Sequence, residues 1–315
     1  MSYDASYISN VAWADAKPVL SVLAPYYKDD PSGLIQALDI QAQKLSGIEI
    51  IIYDDGTGNE ALTAALQDII PELKTPTQAI VAAQNTGRSS ARNRLQDAAR
   101  ADWILFLDAD MRPVGDDFLK NYLQLIKFDK ADVIFGGFTV EDKASEKSRD
   151  LHRALSQVSD CLPLSERQAK GPQFVASSNL CMRKSVLEVE SFDSGFSGWG
   201  WEDSEWAARI AAKFTLLHAH NPALHLGLET TDTLLNRFAT SGPNYVRFTD
   251  KHPELAQTLS LFQISHKLGK IPAQSAMRPI LKAVIKAHAL PMKLRLTALK
   301  LWRASHYAVD LKRAK

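Results

Sequence analysis

Residues 101–110 read ADWILFLDAD, an unbroken apolar run from Trp103 to Leu107 leading directly into Asp108, Ala109 and Asp110. A short apolar run with no polar alternation is the pattern of a strand covered on both faces, as in a parallel sheet. Three upstream runs have the same character: PVLSVLAPYY (18–27), IEIIIYDD (48–55) and QAIVAAQN (78–85). Between them lie segments of helical spacing, LIQALDIQAQKLS (34–46), EALTAALQDII (60–70) and SSARNRLQDAAR (89–100). Strand and helix in alternation predict an α/β fold with a mostly parallel central sheet and flanking helices. Ligands of such sheets sit beyond the carboxyl ends of the strands, where Asp54, Asp55, Asn85, Asp108 and Asp110 are expected.

The 315 residues are 45% hydrophobic and 23% charged, which excludes a disordered chain and allows a sizeable core. No stretch approaches the ~20 apolar residues of a spanning helix, and the acidic, polar start MSYDASYISN is unlike a secretory signal, so a cytoplasmic location is expected. Cys161 and Cys181 form no CxxC, which supports neither a disulfide framework nor a zinc knuckle. The net charge of +1 conceals an asymmetry. From Ser260 onward twelve basic residues face the single acid Asp310, a net +11 that leaves −10 on the preceding residues. The expected organisation is a globular domain over residues 1–255 and a basic helical C-terminal extension over 256–315. In that extension PILKAVIKAHALPMKLRLTALKLWRASHYAV interleaves bases with apolar residues, and Trp302 and Tyr307 are expected as interfacial anchors. This pattern points to peripheral attachment to an anionic membrane surface, on the inner face of the cytoplasmic membrane, rather than to nucleic acid.

Three constellations carry chemistry. Asp108 and Asp110 emerge from a strand end as oxygen ligands able to hold Mg²⁺ or Mn²⁺ against a diphosphate; the spacing alone also suits a solvated loop. Gly56, Gly58 and Ala61 satisfy GxGxxA between strand and helix, as in a dinucleotide site of an NAD-dependent dehydrogenase. Asp54 and Asp55 immediately before them would repel a pyrophosphate, and no acid stands near position 80. The segment GWGWED (198–203) places Glu202 and Asp203 at a helix mouth, where a carboxylate can act as general base and the indoles can pack on a sugar face; the alternative is that the tryptophans are core and the acids complement the helix dipole. Among the nearby His218, His220 and His225, a neutral imidazole can complete a metal shell begun by Asp110.

These segments resemble glycosyltransferase family 2, with the nucleotide-diphospho-sugar transferase (GT-A) fold. SVLAPYYKDD looks like that family's first strand, IEIIIYDDGTGNE like its EIIVVDDGS segment, NTGRSSARN like its N-x-G-x-x-x-A-R-N and ILFLDAD like its DxD strand. FDSGFSGWGWEDSE resembles the GWG-x-ED block of its polysaccharide-synthesising members, and NPALHLGLETT the histidine segment that follows. The resemblance implies an inverting, metal-dependent hexosyltransferase taking a UDP-sugar to a glycan or lipid-linked saccharide acceptor. A protein retaining the fold as a membrane-docking scaffold without turnover is the alternative. Pro25, Tyr27, Asp55, Arg92, Asp108 and Ala109 would line the nucleotide pocket, with Tyr27 stacking on the uracil and Asp55 bonding the base. Asp110, Asp108 and His225 would hold Mn²⁺ or Mg²⁺, Asp203 would be the base, and Glu202 would bind acceptor or donor hydroxyls. Tyr26 and Lys28 depart from the small and asparagine residues usual beside Tyr27.

Overall fold

A computed structural model describes residues 4–141, 146–171 and 174–314. In chain order it contains β1 (Ala5–Ser9), β2 (Leu20–Tyr26), α1 (Ser32–Ala42), β3 (Ile48–Asp54), α2 (Glu60–Ile69), β4 (Thr77–Ala82), α3 (Arg88–Ala98) and β5 (Trp103–Leu107). There follow β6 (Met111–Pro113), α4 (Phe118–Phe128), β7 (Val133–Phe135), β8 (Phe138–Thr139), α5 (Asp150–Ser159), α6 (Leu164–Lys170), β9 (Asn179–Arg183) and α7 (Lys184–Val189). The rest is α8 (Glu202–Ile210), β10 (Leu216–His218), β11 (Ala223–His225), α9 (Thr231–Thr240), α10 (Gly242–Lys251), α11 (Pro253–Thr258), α12 (Ser260–Gly269), α13 (Arg278–Lys286) and α14 (Met292–Arg313). Among the described residues two units are distinguished: those within 1–139, 162–195 and 206–227 in the first, those within 140–161, 196–205 and 228–315 in the second.

The first unit is built on an eight-stranded sheet of order β1-β4-β3-β2-β5-β9-β7-β10. Strands β4, β3, β2 and β5 are parallel, whereas β1 and β9 run against their neighbours. Alternate side chains explain the unbroken apolar runs. Leu20, Val22, Ile50, Ile52, Leu105 and Leu107 pack on one face, and Leu23, Ile51, Tyr53, Ile104 and Phe106 on the other. Within β3, Glu49 is fully buried and satisfied by Ser21 Oγ–H at 2.6 Å and by the Arg100 guanidinium at 2.7 Å. Successive strands β2, β3 and β4 step one way across the sheet and β5 returns to the other side of β2, so a topological switch lies between β2 and β5. A second, three-stranded sheet pairs β11 antiparallel with β6 and parallel with β8.

The second unit is helical among its described residues. Leu151, Leu234, Leu235, Phe238, Leu281, Ile285, Ala298 and Leu299 form one core, and Phe196, Tyr245, Phe248, Ala256 and Tyr307 another. Helix α14 packs against α5, α9, α10, α12 and α13. The basic stretch from 256 is helical as expected, but it shares its unit with residues far upstream of it. Tyr307 is fully buried, and the Trp302 Nε1–H donates to the Leu235 carbonyl at 3.0 Å. Both expected interfacial anchors are therefore packing residues. No helix among the described residues is long and apolar enough to cross a membrane.

Candidate active site

The carboxyl ends of β2, β3 and β5 hold most of the residues singled out for nucleotide binding. Strand alternation sends Tyr26 into the core, 4% exposed, and leaves Tyr27 just past the strand end, 43% exposed, with the Lys28 ammonium 4.9 Å from its ring centroid. The Tyr26 phenol is held above its usual range by burial first and by neighbouring Asp54 second. Lys28 has a positive φ of 69°, and its N–H donates to Thr57 Oγ1 at 3.0 Å, which ties the ends of β2 and β3 together. Pro25, half-buried within β2, sits opposite Tyr53 in the parallel register.

Asp55 is almost entirely engaged in shaping a loop. Its Oδ1 accepts from the Thr86 N–H and hydroxyl, both at 2.9 Å, while Oδ2 accepts from Asn85 Nδ2 at 3.0 Å and the Gly87 N–H at 2.8 Å. Four donors match the lone-pair capacity of a carboxylate. A base contact would require Asp55 to release one of them. Beside it Gly56 has φ 70°, and a Cβ there would collide with the backbone of Gln84 and Asn85. The GxGxxA segment is thus a close backbone crossing. The Asn59 side chain caps α2 through the Ala61 and Leu62 N–H groups, which occupies donors a pyrophosphate would need. The dehydrogenase reading has no geometric support here.

Arg92, from α3, is 1% exposed and donates through Nη2 to Asp108 Oδ1 at 2.9 Å. Its guanidinium lies 5.7 Å from the Phe192 ring centroid. Arg92 therefore acts on Asp108 first, and that carboxylate's charge is already matched. Ala109 is buried, and the Met111 N–H closes a turn on the Asp108 carbonyl at 2.9 Å. Asp110 then stands at the start of β6, whose antiparallel register sets Met111 opposite His225 of β11. His225 Nε2 consequently lies 3.3 Å from Asp110 Oδ2. Burial alone would raise the Asp110 carboxyl, but the hydrogen bond and charge of His225, with Arg88, hold it below the usual carboxylate range. Gly227 was not anticipated from the sequence: a Cβ at that position would overlap the Asp110 carboxylate.

These donors can be weighed against Mn²⁺ or Mg²⁺. Among the described residues no cluster of three or more His, Cys, Asp or Glu could cage a metal. One carboxylate and one imidazole at 3.3 Å, in the space Gly227 leaves, form a two-donor edge. That suits an ion whose remaining ligands are substrate phosphates and water. The residues fit such a group, with Asp108 tied to Arg92 rather than to this edge.

In the second unit, the loop before α8 contains Gly198, Gly200 and Trp201 with φ of 75°, 93° and 78°. Trp201 packs at centroid distances of 4.5 Å on Tyr245 and 4.8 Å on Phe248, and Trp199 at 5.5 Å on Phe238. Both indoles are half-buried, each packing one side against these helical cores. Glu202, buried, and Asp203, half-buried, occupy the first turn of α8 together with Glu205. Three acids there complement the positive end of the helix dipole.

The family model for glycosyl transferase family 2 matches residues 21–189. This chain belongs to that family. The match spans the switch-point strands and the DxD segment and stops before GWGWED. Among solved structures, a mannosyltransferase from Pyrobaculum calidifontis, determined with GDP-Man and Mn²⁺, is similar over 99% of this chain and 90% of that chain, at 14% identity and a TM-score of 0.52. TarS residues 1–349 from S. aureus is similar over 94% and 90%, at 13% identity and a TM-score of 0.48. No curated protein matches the chain. At 14% identity the likeness to the mannosyltransferase speaks for the fold alone, and the family 2 chain has the expected α/β GT-A architecture.

Proposed function

We propose that this family 2 glycosyltransferase moves a sugar from a UDP-sugar to a glycan or lipid-linked saccharide acceptor in polysaccharide biosynthesis, by inverting displacement and with Mn²⁺ or Mg²⁺. The observation that carries this reading is the grouping at the switch point. An exposed aromatic ring, an arginine-held aspartate and an Asp110–His225 pair all follow the carboxyl ends of the parallel strands or their immediate continuation.

Tyr27 offers the face on which the base stacks, while Asp55 keeps the loop 85–87 in place. Arg92 fixes Asp108, which accepts a ribose hydroxyl through the oxygen not given to Arg92. Asp110 and His225 hold the metal, which when bound supplies positive charge to the leaving diphosphate. Asp203 takes the proton of the acceptor hydroxyl as its oxygen forms the new bond to the anomeric carbon and the bond to the diphosphate breaks. Glu202 binds sugar hydroxyls. No covalent intermediate is needed, and both thiols suit that: burial pushes Cys161 up to about 12 and Cys181 higher, so neither is a ready nucleophile. The basic helices α12 to α14 are proposed to bring the protein to an anionic membrane, on the ground of exposed Lys267, Lys270, Lys282 and Lys293 with exposed Ile264, Ile271 and Ile280 nearby in sequence.

A panel of UDP- and GDP-sugars incubated with the full-length protein, Mn²⁺ and saccharide or lipid-linked acceptors tests the reading. Nucleoside-diphosphate release that grows with acceptor is expected. Absence of release from every donor overturns it, and undiminished release in EDTA overturns the metal.

A further inference from the structure

Tyr307 lies in the basic stretch that the sequence sets apart as an extension, yet its hydroxyl is the meeting point of three side chains. The Trp201 Nε1–H donates to Tyr307 Oη at 3.1 Å, and the Arg303 Nε–H donates to the same oxygen at 3.1 Å. With both lone pairs taken, the phenolic hydrogen goes to Ser241 Oγ at 2.6 Å. The ring is fully buried and stacks on Tyr245 at 4.6 Å, while the Arg303 guanidinium covers Trp201 at 5.1 Å.

What Trp201 does explains the value of holding it. Its carbonyl accepts the first helical hydrogen bond of α8, from the Glu205 N–H at 2.9 Å, so Trp201 stands at the cap immediately before Glu202 and Asp203. No capping side chain is available at an indole, and the left-handed backbone at φ 78° is unfavourable for a residue with a Cβ. The conformation must be imposed from outside. Asn244 secures the loop upstream, donating through Nδ2 to the Ser197 carbonyl at 2.9 Å and the Gly200 carbonyl at 3.0 Å, and accepting from the Ser197 N–H at 3.3 Å. Tyr307 secures the cap itself.

We propose that Tyr307 is a positioning residue for the acidic pair: by locking the Trp201 indole it sets the direction in which the first turn of α8 presents Glu202 and Asp203. This rests on the reading of Asp203 as the base in glycosyl transfer. It assigns helix α14 a part in catalysis beyond any membrane role.

The test compares full-length Tyr307→Phe and Trp201→Phe, which remove the hydrogen bond from either side, with Trp302→Phe, which removes an indole hydrogen bond elsewhere on α14. Hydrogen exchange followed by mass spectrometry over residues 196–210 is read alongside kcat and donor KM for whichever nucleotide sugar the wild type uses. Expected are exchange faster by about tenfold in that segment and kcat lower by about tenfold or more at nearly unchanged donor KM, in the first two variants and not in the third. Unchanged exchange overturns the lock. Faster exchange with unchanged kcat overturns the positioning role. A wild type that uses no nucleotide sugar overturns the functional reading beneath it, and the exchange result still reports on the lock.

Discussion

At Gly227 a missing side chain makes room for the Asp110 carboxylate, so Gly227→Ala should swing that carboxylate away while the backbone stays in place. Mn²⁺ affinity in the presence of UDP, followed by the electron-spin signal of free Mn²⁺, is expected to weaken by about tenfold with little change in melting temperature. Asp110→Ala should remove binding altogether; wild-type Mn²⁺ affinity in both variants would mean that the ion is held elsewhere. For the proposed base, Asp203→Asn keeps the shape and removes the proton acceptor. Turnover should fall by about 10²–10⁴ with donor KM unchanged, because general-base assistance acts on the transition state. If donor affinity collapses and saturated turnover survives, Asp203 is a binding group.

At the scale of elements, one buried arginine helps hold the link between β7 and β8. Arg167 of α6 is buried and directs its N–H groups to the carbonyls of Leu162, Phe135 and Ala219 at 3.2, 3.2 and 2.9 Å. Its charge also bears on His218 at the end of β10, 3.5 Å away. Burial first and Arg167 second lower His218 to about 4. Since the unfolded chain takes up this proton near 6.5, the stabilising contribution is complete above that pH and is lost as pH falls from 6.5 towards 4. At 7% exposure His218 accounts for on the order of 3 kcal/mol over that window, and half-buried His306, also lowered to about 4, adds a smaller share. Denaturant unfolding between pH 7 and 4.5 should show this decline, and His218→Asn should flatten it. A wild-type profile level across that range would mean that His218 is not held neutral.

Across the whole chain, the +11 of the C-terminal stretch is only partly a surface charge. Arg295 is buried and donates to the Ile285 carbonyl at 2.8 Å, Arg278 bonds Ser305, and Arg303 lies between Trp201 and Tyr307. Deleting residues 260–315 would strip α14 from the cores it shares with α9 and α10, so truncation is the wrong test of membrane attachment. Charge reversal at the exposed lysines is the right one. The wild type should sediment with phosphatidylglycerol-containing vesicles at low salt, not with neutral ones, and Lys267→Glu/Lys270→Glu/Lys282→Glu should remain in the supernatant. Equal sedimentation of the two proteins, or none by the wild type, would leave these helices as packing elements.

The runs IEIIIY and WILFL and the helical spacings between them already determined a parallel sheet, because burial on both faces leaves that local signature. The motifs at the strand ends likewise marked the family, since residues directly following a strand share its end of the sheet. Tertiary structure alone decided the rest. Asp110 and His225 were joined in the sequence only by the family resemblance; their contact is made by the β6–β11 register, and a pairing between short, distant strands has no local trace. Asp55 proved occupied by the loop 85–87, which only the closing of that loop could show. Tyr307 and Trp302 read as interfacial anchors because amphipathic basic helices look alike whether a bilayer or a protein covers their apolar face. The covering partner, here Trp201, Tyr245 and Leu235, is supplied by residues remote in the chain, and their packing is what the sequence pattern does not encode locally.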